Sequence, residues 1–351
     1  MHDSPRALRQ LVVAGIAGLL LVACAADGTN PSPSDDASGT EPPSGSGGPD
    51  ASATRSAAPA ASAGPVAISE GRTTELLGAT LIDVTYPSQG GGNVSAWLVV
   101  PQGPGPFAGI LYLHGSETDR DDLVDEAAAM AAGGAVSLVI DAPFAREAPN
   151  RTGFIPNWFE PEAEAALTQQ TLDDLRRGID LLVARDDVDP ARIGFVGHSW
   201  GASLGAHLAA VDDRVGASVL VTGRPSWTGF LRADEAHWTG TIESLGEDGW
   251  ERYLTTMAAW DAVEAIGGVD PGAVYLQFGT EDDVVLPAHV DEWVAAAPAD
   301  VRLDRYPAGH ALDATATADR VAWLTERLAL GPIPAELVAQ VGLPDATTLV
   351  P

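Results

Sequence analysis

The sequence predicts an α/β protein with a mostly parallel sheet of eight strands, flanked by helices. Apolar runs of strand length alternate with segments of helical composition through most of the chain, as parallel strands joined by helical crossovers require. The first two runs instead alternate polar and apolar residues and are joined by the glycine-rich residues 87–93. That pattern predicts an antiparallel pair at the sheet edge.

The strands are expected where short β-branched and aromatic runs are bounded by turn residues. They are Ala79 to Tyr86, Val94 to Val100, Ala108 to His114, Ala135 to Ile140, Arg192 to Val196, Gly216 to Thr222, Ala273 to Phe278 and Val301 to Tyr306.

Helical composition fills five of the segments between these strands. They are Asp121 to Ala132, Glu162 to Arg185, Gly201 to Ala210, Pro287 to Ala297 and Thr315 to Leu330.

The alternation breaks between about residues 223 and 268, which predicts a small insertion over the carboxyl edge of the sheet. This stretch is rich in aromatic residues, and two more precede it in the chain. Such residues usually supply the core of a small subdomain, which is the favoured interpretation, although they could also line a pocket for acyl or sugar groups. They are Trp227, Phe230, Trp238, Trp250, Tyr253 and Trp260, with Trp158 and Phe159 upstream.

The N-terminus has the plan of an export signal. Residues 1–23 combine two arginines with an apolar run too short for a comfortable membrane span. The run ends in Leu21-Val22-Ala23-Cys24, which resembles the lipobox of bacterial lipoproteins. The resemblance implies a lipid anchor on Cys24 and a location at the cell membrane, on the extracytoplasmic side. The alternative is an ordinary cleaved signal followed by a chance cysteine.

The rest of the chain divides by composition. Residues 24–66 lack large apolar side chains and are expected to form a disordered tether. Residues 67–331 form the predicted folded domain, and residues 332–351 a proline-rich tail. Since Cys24 is the only cysteine, no intramolecular disulfide can form.

The formal net charge is −30, and all 19 basic residues are arginines. A field of that sign disfavours nucleic acids and anionic lipid surfaces as partners. No His, Asp and Glu cluster has the spacing of metal ligands, so neither a metal nor an organic cofactor is expected. Protein partners are not indicated.

The pentapeptide Gly197-His198-Ser199-Trp200-Gly201 lies between a predicted strand and a predicted helix. A serine on that sharp turn is exposed for attack, and the strained backbone needs small residues two before and two after it. The pattern predicts Ser199 as a nucleophile. The alternative is a glycine-rich turn without chemistry.

A nucleophilic serine needs a base and an acid that orients the base. His310 fits best, because it follows the last predicted strand and precedes the last helix. Three carboxylates, Glu281, Asp282 and Asp283, follow the seventh strand, and spacing alone does not choose among them.

The chain order of serine, acid and histidine resembles that of the α/β-hydrolase superfamily, specifically its dienelactone-hydrolase-like and acetyl-ester-hydrolase-like branch. The resemblance covers roughly residues 75–330. Its Gly-x-x-Asp segment, counted from Gly279, implies Asp282 as the acid. Dienelactone hydrolases proper use cysteine as the nucleophile, so the serine here favours esters as substrates.

The resemblance also implies an oxyanion hole made of two backbone amides. One belongs to Trp200, and the other to Ser116 in the segment Leu113-His114-Gly115-Ser116, with Glu117 as the alternative. His114 itself is expected to hydrogen-bond the loop backbone.

The predicted activity is hydrolysis of small-molecule carboxylic esters through an acyl-serine. A peptidase, an acyltransferase or a catalytically silent binding lipoprotein are the alternatives. Arg120 and Arg146 could meet a substrate carboxylate, but surface salt bridges are favoured for both.

Overall fold

The computed structural model describes residues 67–342, in which a mixed sheet carries helices on both faces. The predicted signal peptide, the whole tether including Cys24, and residues 343–351 of the tail lie outside the described residues. No helix within residues 67–342 is long and apolar enough to cross a membrane.

The sheet has nine strands in this part of the chain. They are β1 (Ser69–Leu76), β2 (Ala79–Pro87), β3 (Asn93–Val100), β4 (Phe107–Leu113), β5 (Ala135–Ile140), β6 (Val188–His198), β7 (Val215–Val221), β8 (Val274–Gly279) and β9 (Arg302–Tyr306).

The strand order is β1-β2-β3-β5-β4-β6-β7-β8-β9. The first three strands are antiparallel to their neighbours, and the pairs from β5 to β9 are all parallel. The predicted α/β class and the antiparallel pair β2 and β3 are therefore confirmed. Because β4 to β9 are parallel, the loops that follow them meet at one carboxyl edge.

The predicted number of eight strands is wrong, because β1 adds a ninth. Its sequence, SEGRTTEL, is almost entirely polar, and only Leu76 is even partly buried. The strand forms by hydrogen bonding to the edge of β2, with Leu76 opposite Ala79. An exposed edge strand carries no alternating apolar pattern, so hydrophobic periodicity cannot reveal it.

The described residues also contain ten α-helices, five of them where helices are predicted. They are α1 (Val124–Ala131), α2 (Pro161–Val183), α3 (Trp200–Val211), α4 (Trp227–Ala233), α5 (Thr239–Leu245), α6 (Glu247–Met257), α7 (Val263–Ile266), α8 (Pro287–Ala296), α9 (Ala314–Arg327) and α10 (Ala335–Val338).

The helices pack on both faces of the sheet, and an apolar core lies on each face. Helices α1 and α9 pack on one face, and α2, α3 and α8 pack on the other. Helix α10, in the predicted tail, packs against α1 and α9. The strands between these layers are buried on both faces, which fits their continuous apolar sequences.

The predicted insertion lies between β7 and β8 and consists of α4 to α7. Trp250, Tyr253 and Met257 form a separate apolar cluster with Trp158 and Trp227 packed against it. Most of the aromatic residues therefore build the insertion's own core, as the favoured interpretation has it.

Candidate active site

Ser199 lies on the turn between β6 and α3, in a conformation that few residues adopt. Its φ is 54° and its ψ is −116°. A Cβ atom on Gly197 would lie 2.4 Å from the carbonyl oxygen of Gly201, and one on Gly201 would lie 2.3 Å from that of Leu113. Both glycines are therefore required by close backbone approach, as the sequence predicts.

The end of β7 connects the turn of Ser199 to the loop that carries His310. The backbone N–H of Ser199 donates to the carbonyl oxygen of Val221 at 2.8 Å. The next residue, Thr222, donates from its hydroxyl to the carbonyl oxygen of His310 at 3.0 Å. Two short hydrogen bonds thus fix the serine and the histidine against the same strand end.

His310 and Asp282 form a buried pair, with Nδ1 of the histidine 2.9 Å from Oδ2 of the aspartate. The other oxygen of Asp282 accepts from the backbone amides of Val284 at 2.8 Å and Val285 at 2.9 Å. Burial raises the pKa of Asp282, but the hydrogen bond and charge of His310, with the two amides, bring it below its usual value. The carboxylate is therefore ionised at neutral pH.

The neighbouring carboxylates are placed differently. Glu281 and Asp283 are both exposed, whereas Asp282 is buried. Of the three alternatives that the sequence leaves open, Asp282 is the one that contacts the His310 ring.

A second histidine, His198, is buried beside His310, with the ring centroids 5.2 Å apart. Its Nε2 lies 3.4 Å from the carbonyl oxygen of His310. Burial, together with the charge of His310, lowers the pKa of His198 to about 3. His198 is therefore neutral and adds no charge next to His310.

His114 holds the loop that follows β4. Its Nδ1 lies 2.6 Å from the carbonyl oxygen of Gly115, and its Nε2 accepts from the backbone amide of Ala142 at 3.0 Å. Nδ1 is therefore the protonated nitrogen. Burial lowers the pKa of His114 to about 4, so the ring is neutral. These contacts agree with the loop-holding role expected for it.

A cavity of about 280 Å³ lies against Ser199 and extends under the insertion. Ser116, Glu117 and Trp200 line it near the serine. The cavity therefore borders both of the predicted oxyanion donors and the alternative at Glu117, whose roles stay predictions. On the far side Trp227 and Trp260 of the insertion line it, so two of the aromatic residues also contribute to a pocket.

Two expectations about arginines meet different outcomes. Arg146 is fully buried and pairs with Asp174 at 2.5 Å, so a surface salt bridge is wrong for it. The pair lies between the loop after β5 and helix α2, which the sequence does not bring together. Arg120 does form a salt bridge, with Asp83 at 2.8 Å, although its side chain is mostly buried. Neither arginine lines the cavity.

Besides Asp261 of the insertion, two charged residues of the cavity are not among the predicted site residues. Arg224 follows β7, and Glu164 lies in the first turns of α2. Glu164 accepts from the backbone amide of Asn157 at 2.6 Å, and burial raises the pKa of its carboxyl. Neither residue belongs to a motif, and each reaches the cavity through packing between distant segments, so no sequence signal identifies them.

Comparisons with known proteins agree with this architecture. Residues 153–310 match the prolyl oligopeptidase family (Peptidase_S9). The chain is also similar in structure to the acetyl xylan esterase from Paenibacillus sp. R4, with 20% identity, 75% of this chain and 88% of that chain covered, and a TM-score of 0.61.

Two further solved structures are similar. One is acetyl xylan esterase 1 from Thermoanaerobacterium sp. JW/SL YS485, with 18% identity, 74% and 87% of the two chains covered, and a TM-score of 0.62. The other is a candidate dienelactone hydrolase from Klebsiella pneumoniae subsp. pneumoniae MGH 78578, with 20% identity, 75% and 99% covered, and a TM-score of 0.51. The strand order, the serine turn and these similarities together show that the chain has the fold of the α/β-hydrolase superfamily.

Proposed function

We propose that this protein is a serine-dependent hydrolase of carboxylic esters, with Ser199 as nucleophile, His310 as base and Asp282 as orienting acid. The observation that carries the proposal is the buried His310 and Asp282 pair, fixed beside the strained turn of Ser199 at one edge of the sheet. The similarity to acetyl xylan esterases supports an ester as the substrate.

In the proposed cycle, the Ser199 hydroxyl attacks the ester carbonyl while Nε2 of His310 takes its proton. The contact of Nδ1 with Asp282 keeps the neutral ring's own proton on Nδ1 and leaves Nε2 free to act as the base. The ionised Asp282 stabilises the imidazolium that forms. The backbone amides of Trp200 and Ser116 are proposed to bind the oxyanion, a contribution of about 3 kcal/mol per donor in such sites.

The imidazolium then protonates the alcohol, which leaves, and an acyl-serine remains. Water attacks this ester with His310 again acting as base, and the acid product is released. The cavity beside Ser199 is proposed to hold the acyl group during both steps.

The test is hydrolysis of p-nitrophenyl esters from acetate to decanoate by the purified protein, with Ser199→Ala as control. Turnover and fluorophosphonate labelling should both disappear in the variant. The preferred acyl length would report the depth of the cavity. A wild-type protein that neither turns over these esters nor reacts with fluorophosphonate would contradict the hydrolase proposal.

A peptidase is the second candidate, favoured by the match of residues 153–310 to the prolyl oligopeptidase family. Both activities can use the same three residues. Aminoacyl and prolyl p-nitroanilides, assayed beside the esters, separate the two. A kcat/KM for an anilide equal to or above that of the best ester would favour the peptidase.

We also propose that the mature protein is held at the extracytoplasmic face of the cell membrane by a lipid on Cys24. The lipobox-like sequence at residues 21–24 supports this location. Palmitate labelling in cells should be lost in Cys24→Ser, and the variant should move from the membrane fraction to the soluble fraction. A variant that stays in the membrane fraction unlabelled would contradict the anchor.

A further inference from the structure

The backbone of Arg224 is hydrogen-bonded to helix α3, close to the proposed nucleophile. The hydroxyl of Ser203, one turn of α3 after Ser199, donates to the carbonyl oxygen of Arg224 at 2.9 Å. The preceding residue, Gly223, accepts from the indole N–H of Trp293 at 2.8 Å. The segment after β7 is thus fixed on both sides, and Arg224 lines the same cavity as Ser199.

The side chain of Arg224 is held without being neutralised. Its Nη2 donates to the carbonyl oxygen of Val284 at 2.8 Å, and its guanidinium carbon lies 3.8 Å from the ring centroid of Phe230. Its Nη1 is buried and has no hydrogen-bond partner within residues 67–342. In the same part of the chain, no carboxylate lies within ion-pairing distance of Arg224.

The two fully buried arginines, Arg146 and Arg320, differ from Arg224, which is partly buried. Arg146 pairs with Asp174 at 2.5 Å, and Arg320 pairs with Glu126 at 2.7 Å. Removing a cation from water is unfavourable without an ion-pair partner, so a partly buried arginine that forms no ion pair is stabilised by a bound anion. Burial lowers the pKa of Arg224 to about 10 against the opposing effect of the negative charges of Asp282 and Glu292, and leaves it charged at neutral pH.

The acidic residues that share the cavity are engaged elsewhere. Asp261 accepts from the hydroxyl of Ser226 and from the backbone amides of Trp227 and Thr228, at 2.7, 2.7 and 3.1 Å. Glu164 accepts from a backbone amide and from the Tyr253 hydroxyl at 3.1 Å. Glu117 lies exposed. Asp282, which is paired with His310, and Glu292 act on Arg224 from beyond ion-pairing distance. The guanidinium of Arg224 is therefore available to pair with a bound anion.

We propose that Arg224 determines substrate specificity by binding an anionic group, so that the preferred substrates are esters whose acyl part ends in a carboxylate. A carboxylate matches the planar guanidinium and supplies the ion-pair partner that Arg224 lacks within residues 67–342. This inference rests on the proposed esterase function and adds a substrate class to it.

The test compares charged and neutral esters of the same shape. The charged series is the mono-p-nitrophenyl esters of glutarate, adipate and pimelate. Each is paired with the neutral ester in which an isopropyl group replaces the carboxylate. After subtraction of uncatalysed hydrolysis, the best charged member should have a kcat/KM at least about tenfold above its neutral partner in wild-type protein.

Substitution assigns that preference to Arg224. In Arg224→Gln the charged-to-neutral ratio should fall at least about tenfold, and in Arg224→Lys part of it should return. Arg232→Gln is the matched control, because Arg232 lies in the insertion, outside the cavity lining, and pairs with Glu251. It removes the same charge and should keep the wild-type ratio.

The outcomes separate the two proposals. Turnover of neutral esters by wild type without preference for any charged partner would overturn the role of Arg224 and leave the esterase standing. An unchanged ratio in Arg224→Gln would do the same. Absence of all turnover, with no labelling of Ser199 by fluorophosphonate, would instead overturn the esterase. Because the wild-type ratio needs no variant, the test holds even if Arg224→Gln does not fold.

Discussion

The carboxyl edge of the sheet and the insertion that covers it are built in different ways. At the edge, backbone groups set the positions: Ser199 donates to Val221, and Thr222 donates to the His310 carbonyl. In the insertion, side chains do so, and Trp158, which precedes α2, packs against them. The ring centroid of Trp158 lies 4.6 Å from that of Tyr253 and 6.0 Å from that of Trp250.

This difference predicts that substitutions in the two regions have different effects on activity and stability. Changes at the edge should remove activity, because reacting groups must stay aligned to a fraction of an ångström. Changes in the insertion should reduce stability and alter the cavity wall while Ser199 stays reactive. Four predictions test this division.

The largest effect is expected for Asp282→Asn at the edge. The amide cannot stabilise the imidazolium, and such changes in serine hydrolases of other folds cost about 10⁴-fold in kcat. Thermal unfolding should change little, since the amide oxygen can still accept from Val284 and Val285. Asp283→Asn, an exposed neighbour, is the control and should stay within twofold of wild type. Equal losses in both variants would contradict the role of Asp282.

Gly201→Ala should disrupt the carboxyl edge of the sheet through a steric clash alone. Its Cβ would lie 2.3 Å from the Leu113 carbonyl oxygen, so backbone must move. We expect a loss of roughly 3 kcal/mol in the free energy of unfolding, together with loss of fluorophosphonate labelling.

The matched control is Gly240→Ala in the insertion, where nothing lies within 4 Å of the new Cβ. This change should leave stability equal or raise it by up to about 1 kcal/mol, as alanine does in helices. Urea unfolding of both variants measures the difference. A Gly201→Ala protein that keeps full labelling would show that the turn tolerates a side chain.

Trp158→Ala should weaken the insertion. Trp158 contacts Trp227, Trp238, Trp250 and Tyr253, and truncating such a residue costs about 3 kcal/mol. Fluorophosphonate labelling should persist below the melting temperature. The control is Phe159→Ala, because Phe159 is 65% exposed and its loss should change stability by less than about 0.5 kcal/mol. Loss of labelling in folded Trp158→Ala would contradict the division between the regions.

The last prediction concerns pH, and it acts on the edge. Burial lowers the pKa of His114 to about 4 and that of His198 to about 3, whereas an unfolded histidine titrates near 6.5. As pH falls below 6.5, these two histidines become protonated in the unfolded chain but stay neutral in the folded chain. Stability should therefore fall by about 1.4 kcal/mol per pH unit for each histidine, down to about pH 4.

Urea unfolding at pH 7, 6 and 5 measures this slope. His114→Gln should make the slope shallower, and His237→Gln should not, because His237 is exposed in the insertion. A slope in His114→Gln equal to that of the wild type would contradict the assignment of a neutral buried His114.

The sequence alone indicates much of the edge, because its signals are local. Glycines at 197 and 201 mark the sharp turn, and the carboxylates and His310 directly follow strands. The choice of Asp282 over its neighbours needed a family resemblance. Its contact with His310 joins residues 28 positions apart along the chain.

The features that the sequence did not determine depend on contacts between distant segments. β1 is a polar strand that forms only because the edge of β2 offers unpaired backbone groups. Arg146 is buried because helix α2 brings Asp174 to it, and Arg224 reaches the cavity because the loop after β7 packs beneath the insertion.

What the sequence by itself determined is the α/β class, the serine turn and the order of the residues proposed for the chemistry, since local backbone constraints and hydrophobic periodicity encode them. What only the tertiary structure decided is which carboxylate contacts His310, which arginine of the cavity forms no ion pair within residues 67–342 and what lines the cavity. Burial and pairing of a charge depend on every segment packed around it, and no single stretch of sequence contains that information.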